Sequence, residues 1–166
     1  MLLLTISLFE KVLFSAEGDT GFVAGDERGW FRCAFMGGSW QVFYNGKPLG
    51  EFESAFSTAD QGEGYSPAGV ILVKGGSWYL GFGGKLWGPY CELRGVVIAG
   101  RSWGGVELAD RGTYIIINGR RYGPYRYEWR PPLPSFSPDG SDWGFLYQDR
   151  AGWFVKMGDV LMGPYP

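Results

Sequence analysis

Short runs of alternating apolar and polar residues follow one another along the chain, and many end at a glycine-containing pair. Four such pairs, Asn45-Gly46, Gly83-Gly84, Asn118-Gly119 and Gly158-Asp159, begin at intervals of 38, 35 and 40 residues. These pairs tolerate the positive φ angles that two-residue hairpin turns require. No segment keeps a 3.6-residue apolar period, so the pattern predicts an all-β protein with essentially no α-helix.

The sequence around each turn pair repeats. An aromatic or β-branched strand precedes the pair, and the strand after it reaches a glycine, which Pro-Tyr follows in three of the four copies. A second hairpin lies upstream of each copy. The chain is therefore interpreted as one domain, 1–166, of four antiparallel meander units, with approximate bounds 10–54, 55–92, 93–128 and 129–166.

Each unit is predicted to begin with one further strand. These strands are expected around residues 12–14, 52–56, 96–98 and 134–136. The apolar residues 1–9 are expected to form another strand, which completes the last unit and joins the two ends of the chain.

Four meanders of this length favour a small β-propeller with about four blades. A single meander cannot bury both of its faces, whereas blades arranged radially cover one another and leave only short edges. A β-sandwich or a barrel of stacked hairpins is the alternative architecture.

Local motifs add a family resemblance. The segment Pro134-Ser-Phe-Ser-Pro-Asp-Gly-Ser-Asp-Trp143, with Gly163-Pro-Tyr further on, resembles the F-S-P-D-G repeat of bacterial WD40-like and TolB-type β-propellers. A degraded copy, Phe14-Ser-Ala-Glu-Gly-Asp, opens the first unit. The unit ends are also similar to the WG repeat of bacteria. Both resemblances imply binding or scaffolding roles without a shared catalytic set.

Composition supports strands joined by tight turns, and it narrows the chemistry. The chain has 29 glycines among 166 residues, 18% aromatic residues, two cysteines and no histidine. Without histidine, the commonest general base and the commonest transition-metal ligand are missing. A net charge of −2 gives no electrostatic case for nucleic acid. We therefore expect neither a cofactor nor a metal.

Carboxylate pairs are the remaining catalytic candidates. They are Glu17 with Asp19, Asp26 with Glu27, and Asp139 with Asp142. A glycosidase needs two carboxyl groups roughly 5–10 Å apart. These residues lie in predicted turns, where aspartate commonly caps the backbone. We therefore predict a protein that is not an enzyme, with no catalytic residues.

Charged and aromatic residues suggest a binding rim instead. In a meander, the loop between strands one and two shares one end with the loop between strands three and four. The rim candidates that lie near these loops are Lys47, Lys85, Arg120, Arg121, Asp139 and Asp142. The aromatic candidates for stacking on a ligand are Trp87, Trp103, Tyr122 and Trp143.

These features favour a non-enzymatic binding or scaffold module whose partner is another protein or a further copy of itself. A lectin-like glycan binder that uses repeated aromatic and polar residues is the alternative, and a glycosidase-like hydrolase is a remote one. No nucleic-acid partner and no insertion into a membrane are expected. A cytoplasmic location is the default expectation, since no signal peptide or membrane span is recognised.

Overall fold

The computed structural model describes residues 20–26, 29–58, 69–126 and 133–165. These residues form sixteen strands and no α-helix. The strands are β1 (Thr20–Asp26), β2 (Gly29–Met36), β3 (Ser39–Tyr44), β4 (Lys47–Phe52), β5 (Ser54–Ser57), β6 (Val70–Lys74), β7 (Ser77–Phe82), β8 (Lys85–Tyr90), β9 (Leu93–Ala99), β10 (Ser102–Ala109), β11 (Gly112–Ile117), β12 (Arg120–Tyr125), β13 (Ser135–Phe136), β14 (Trp143–Asp149), β15 (Gly152–Met157) and β16 (Val160–Tyr165). The all-β prediction is confirmed.

The strands make four four-stranded antiparallel meanders. Sheet 1 contains β1–β4, sheet 2 contains β5–β8, sheet 3 contains β9–β12 and sheet 4 contains β13–β16, each in chain order. The turn pairs join the third strand of a sheet to its fourth. Asn45 and Asn118 open two of these turns with φ angles of 47° and 49°, a region that asparagine tolerates better than most residues.

The repeated glycine near the end of each unit has a backbone role. Every pairing of a third with a fourth strand contains a register shift. Gly50, Gly88, Gly123 and Gly163 lie there with φ angles of 133°, 136°, 128° and 125°. Only glycine adopts this region readily, so the bulge explains why the same residue recurs in all four units.

The first unit differs from the sequence-based expectation. Its first strand is Thr20–Asp26, which pairs along its length with β2. The strand predicted around residues 12–14, and the closing strand at residues 1–9, lie outside the described residues. This strand contains two glycines, Gly21 and Gly25, four residues apart, and glycine is depleted in strands. Adding a Cβ at either glycine would strike the backbone of β2, so the close strand pairing requires glycine there.

Neighbouring sheets pack face to face in chain order. Three clusters of buried residues join sheet 1 to sheet 2, sheet 2 to sheet 3, and sheet 3 to sheet 4. We call the face that a sheet turns toward its successor its forward face, and the opposite face its backward face. Within the part of the chain that the structure describes, no such cluster joins sheet 4 to sheet 1.

Candidate functional site

In each sheet, the loop between strands one and two lies at the same end as the turn between strands three and four, as the rim prediction requires. In sheet 1, the Asn45 N–H donates to the carbonyl of Trp30 over 3.0 Å, and the Trp30 N–H donates to Asn45 Oδ1 over 2.9 Å. Asn118 makes the same two bonds with Trp103 in sheet 3, at 2.9 and 2.8 Å. In sheet 4, Gly158 keeps only the backbone bond, with Trp143 as acceptor at 3.1 Å.

Three of the basic rim candidates occupy the same strand position. Lys47, Lys85 and Arg120 each follow the turn of their own sheet directly, and all three are exposed. Lys85 lies 5.8 Å from the ring centre of Trp87, and Arg120 lies 5.0 Å from that of Tyr122. Each of these two cations therefore covers an aromatic ring of its own sheet.

Arg121 is engaged in an ion pair that holds two sheets together. Its Nε lies 2.6 Å from Glu107 Oε2, its Nη2 lies 2.9 Å from Oε1, and the same Nη2 donates to the carbonyl of Pro89 over 3.1 Å. The N–H of Cys91 donates to Glu107 Oε1 over 3.0 Å. Hydrogen bonding to Glu107 raises the pKa of Arg121. Because Pro89 and Cys91 end sheet 2, the pair interlocks sheets 2 and 3.

Sequence reasoning missed Glu107, a residue that is only 1% exposed. Its position was informative nevertheless. The register puts Ala34, Leu72 and Tyr147 at the equivalent point of the other sheets. A carboxylate where the other repeats carry uncharged residues signals a buried, paired charge, since an isolated one would be too costly.

The two acidic rim candidates stabilise their own loop. Asp139 Oδ1 accepts from Ser137 Oγ at 2.7 Å, from the Ser141 N–H at 3.1 Å and from Ser141 Oγ at 3.0 Å. The bond from the Ser137 hydroxyl is the largest cause of the lowered pKa of Asp139. The N–H of Asp142 in turn donates to Ser137 Oγ over 2.9 Å. These contacts are those of a capped turn.

The structure describes no side chain of the other two carboxylate pairs. Glu17, Asp19, Glu27 and the side chain of Asp26 lie outside the described residues. The described residues contain no group of three or more His, Cys, Asp or Glu side chains that could hold a metal ion.

The four aromatic candidates pack between sheets. Trp87 of sheet 2 contacts Trp103 of sheet 3 at 5.7 Å between ring centres, and Tyr122 of sheet 3 contacts Trp143 of sheet 4 at 5.3 Å. Trp103 is 0% exposed, and its Nε1 is the buried side-chain nitrogen for which the described part of the chain shows no acceptor. Trp103 therefore has no surface to offer a ligand.

The forward face of sheet 4 exposes several large apolar side chains. Met157 is 51% exposed and Val160 59% exposed, and Trp153 and Tyr165 are exposed on the same face. Beside them lies an open groove of about 460 Å³, whose apolar lining includes Leu133, Phe136, Leu146, Val155 and Met157. Contiguous exposed apolar surface of this kind marks a contact site on a protein.

Equivalent positions in the other sheets are covered. The register aligns Met157 with Phe82 and Ile117, both buried between sheets, and Tyr165 with the buried Phe52 and Tyr90. The position of Val160 is the one that carries Lys47, Lys85 and Arg120 elsewhere. Sheet 4 thus has an apolar forward face like the other three sheets, with valine in place of their basic residue.

No family model, curated protein or solved structure matches the chain. None of the described residues forms a helix with the length and apolar character that a membrane crossing requires. The function is therefore inferred from the geometry of the four sheets.

Proposed function

We propose that the chain is a non-enzymatic binding and assembly module, which joins another polypeptide through the forward face of sheet 4. The observation that carries the proposal is the exposure of Met157 and Tyr165 at positions that are buried in sheet 2. Burying apolar surface is the main driving force of protein association. The forward face of sheet 4 has the apolar pattern of the interfaces between sheets and is exposed, so it is suited to binding another polypeptide.

The four sheets are proposed to be blades of a small β-propeller. Support comes from the meander order within every sheet, from the shared end of the two loop sets, and from face-to-face packing in chain order. The loop from Ser137 to Asp142, which includes the Ser-Pro-Asp-Gly turn, supports the resemblance to WD40-like and TolB-type repeats. Propellers commonly present binding surfaces, but that analogy alone does not fix a function.

The chemistry of the face favours a polypeptide over a glycan. Sugar rings are bound by aromatic faces with polar groups at their edges, whereas the two most exposed apolar side chains of this face, Met157 and Val160, are a thioether and an aliphatic group. The aromatic candidates Trp87 and Trp143 each pack against a ring of a neighbouring sheet, and Trp143 also lines the groove.

The proposal is tested by photo-crosslinking in the cells that make the protein. A benzoylphenylalanine at Val160 is expected to give adducts with protein, because this side chain is exposed on the contact face. The matched control is the same probe at Leu86, an exposed leucine in the corresponding hairpin of sheet 2. Adding Met157→Lys should abolish the adducts at Val160.

Two results would overturn the proposal. One is an adduct yield at Val160 no higher than at Leu86. The other is binding to an arrayed glycan that survives Met157→Lys, which would identify a carbohydrate ligand and a different surface.

A further inference from the structure

We propose that the partner of the sheet 4 forward face is the backward face of sheet 1 in a second copy of this chain. The inference rests on the proposed function and names its partner. Within one chain, sheets 1 to 4 make three interfaces, each between the forward face of one sheet and the backward face of the next. The proposed contact between chains is a fourth interface of the same kind.

The backward face of sheet 1 is the other exposed end of that series. Trp30 is 43% exposed, Arg32 is exposed and Phe43 is half-buried. The register aligns Trp30 and Phe43 with Trp103 and Ile116, which are fully buried against sheet 2. Sheet 1 therefore has the side chains of a backward face, and no other sheet among the described residues covers them.

Each of the three interfaces within the chain contains a cation–π contact, with the cation at a different strand position in each. In each, a cation from the following sheet lies over an aromatic ring on the fourth strand of the preceding sheet. Lys74 lies 5.7 Å from the ring centre of Phe52, Arg121 lies 5.5 Å from that of Tyr90, and Lys156 lies 5.8 Å from that of Tyr122. Such cation–π contacts favour this pairing of faces over alternatives without the cation.

Sheets 1 and 4 carry the cation and the aromatic ring for a fourth such contact, one on each sheet. Tyr165 is on the fourth strand of sheet 4, at the position of Phe52 and Tyr90, and its ring is exposed. Arg32 is on the backward face of sheet 1, where its guanidinium lies 5.8 Å from the ring centre of Phe43. Head-to-tail packing brings Arg32 of the second copy over Tyr165.

The occupant is placed in another copy because the two faces share no contact cluster among the residues that the structure describes. Met157 and Trp30 are both exposed in the same molecule, and no buried cluster among the described residues spans sheets 4 and 1. A contact between two different faces is heterologous, so it produces a ring if the rotation closes and a longer array if it does not.

Site-directed crosslinking tests the contact. Cys91 is exposed and is replaced by serine, whereas Cys33 is buried and stays. Tyr122 and Trp143, which touch across the interface of sheets 3 and 4, align with Met162 and Trp30. A chain with Met162→Cys is mixed with a chain with Trp30→Cys, and a short bismaleimide is added. We expect a covalent dimer that contains one chain of each kind.

The matched control replaces Met162→Cys with Leu161→Cys, an exposed neighbour on the opposite face, and should give no dimer. A chain that carries both Met162→Cys and Trp30→Cys distinguishes the remaining outcomes. An intramolecular product at high dilution would show that sheet 1 of the same chain closes the ring, and would overturn the inference. No product in either experiment would overturn it too. Adducts of Val160 with a different protein would then leave the proposed function intact.

Sedimentation of the unlabelled chain gives an independent measurement. The native protein should sediment as a multiple of the single-chain mass, and Arg32→Glu should weaken the association about tenfold, because it removes the cation. A monomeric native chain at all concentrations would contradict the inference.

Discussion

Sheets 2 and 4 have the same topology and strand register, yet their forward faces are in opposite environments. Phe82 is 3% exposed, whereas Met157 at the same position is 51% exposed. Tyr90 is buried, and its counterpart Tyr165 is exposed. The difference arises from the neighbour, since sheet 2 packs on Trp103 of sheet 3, whereas no sheet among the described residues packs on the forward face of sheet 4. A repeat sequence thus specifies a contact surface even where the described part of the chain does not cover it.

The two faces also differ in the kind of side chain they use. Where sheet 2 has the rings of Phe82 and Trp87, sheet 4 has the thioethers of Met157 and Met162. Methionine is unbranched and polarisable, so it adapts to surfaces that are not built together with it. Aromatic rings suit a permanent interior, and methionines suit a face that meets a partner after folding.

The largest expected effect comes from truncating Phe82 and its counterpart Met157 to alanine. Phe82→Ala should lower the free energy of unfolding by about 4 kcal/mol, since it leaves a cavity between two sheets. Met157→Ala should cost less than about 1 kcal/mol in the single chain, because its side chain is already half in water. Both changes in the free energy of unfolding are measured by urea denaturation, at a protein concentration low enough to dissociate any assembly. An equal cost for the two variants would mean that the face of sheet 4 is covered within its own chain.

A second comparison concerns the polar interlock, which sheet 4 lacks. Arg121 and Glu107 hold sheet 3 to the end of sheet 2, and the corresponding positions of sheet 4 carry Leu161 and Tyr147. Arg121→Met should lower stability by about 2–3 kcal/mol, because it leaves the buried carboxylate with the N–H of Cys91 as its remaining partner.

Arg120→Met is the matched control for this variant, since Arg120 is exposed and lies over a ring of its own sheet. Its effect should stay within about 0.5 kcal/mol. Adding Glu107→Gln to Arg121→Met should recover part of the loss, because it removes the uncompensated charge. If Arg121→Met cost no more than Arg120→Met in thermal and urea unfolding, the ion pair would not hold the sheets together.

Much of the local structure follows from the sequence, because turn chemistry and strand alternation are local. Asn45-Gly46 and Asn118-Gly119 specify their hairpins without reference to the rest of the chain. Burial does not follow in the same way. Trp103 and Trp30 hold equivalent positions, and only the presence of a preceding sheet makes one buried and the other exposed. The candidate site therefore lies on a face that the repeat pattern would cover, and the groove beside it is lined in part by Asp142 and Trp143, two of the residues that the sequence singled out.

The smallest expected effect concerns the turn of sheet 4, which lacks the side-chain bond that the turns of sheets 1 and 3 make. Gly158 has a φ of 53°, close to the 49° of Asn118, and a Cβ built on it would meet no atom within 4 Å. Asparagine tolerates positive φ better than most residues, so Gly158→Asn is expected to accept a hydrogen bond from the N–H of Trp143. It should stabilise the chain by about 0.5–1 kcal/mol, through this bond and through the reduced freedom of the unfolded chain.

Gly158→Ala separates these two contributions. Alanine reduces the freedom of the unfolded chain in the same way, but it has no acceptor and tolerates positive φ poorly, so it should destabilise by about 1 kcal/mol. The two variants are compared by thermal unfolding at equal protein concentration. If asparagine and alanine had the same effect, the carboxamide would not be what ties the turn to the second strand. The bonds of Asn45 to Trp30 and of Asn118 to Trp103 would then be consequences of the hairpin geometry rather than causes of it.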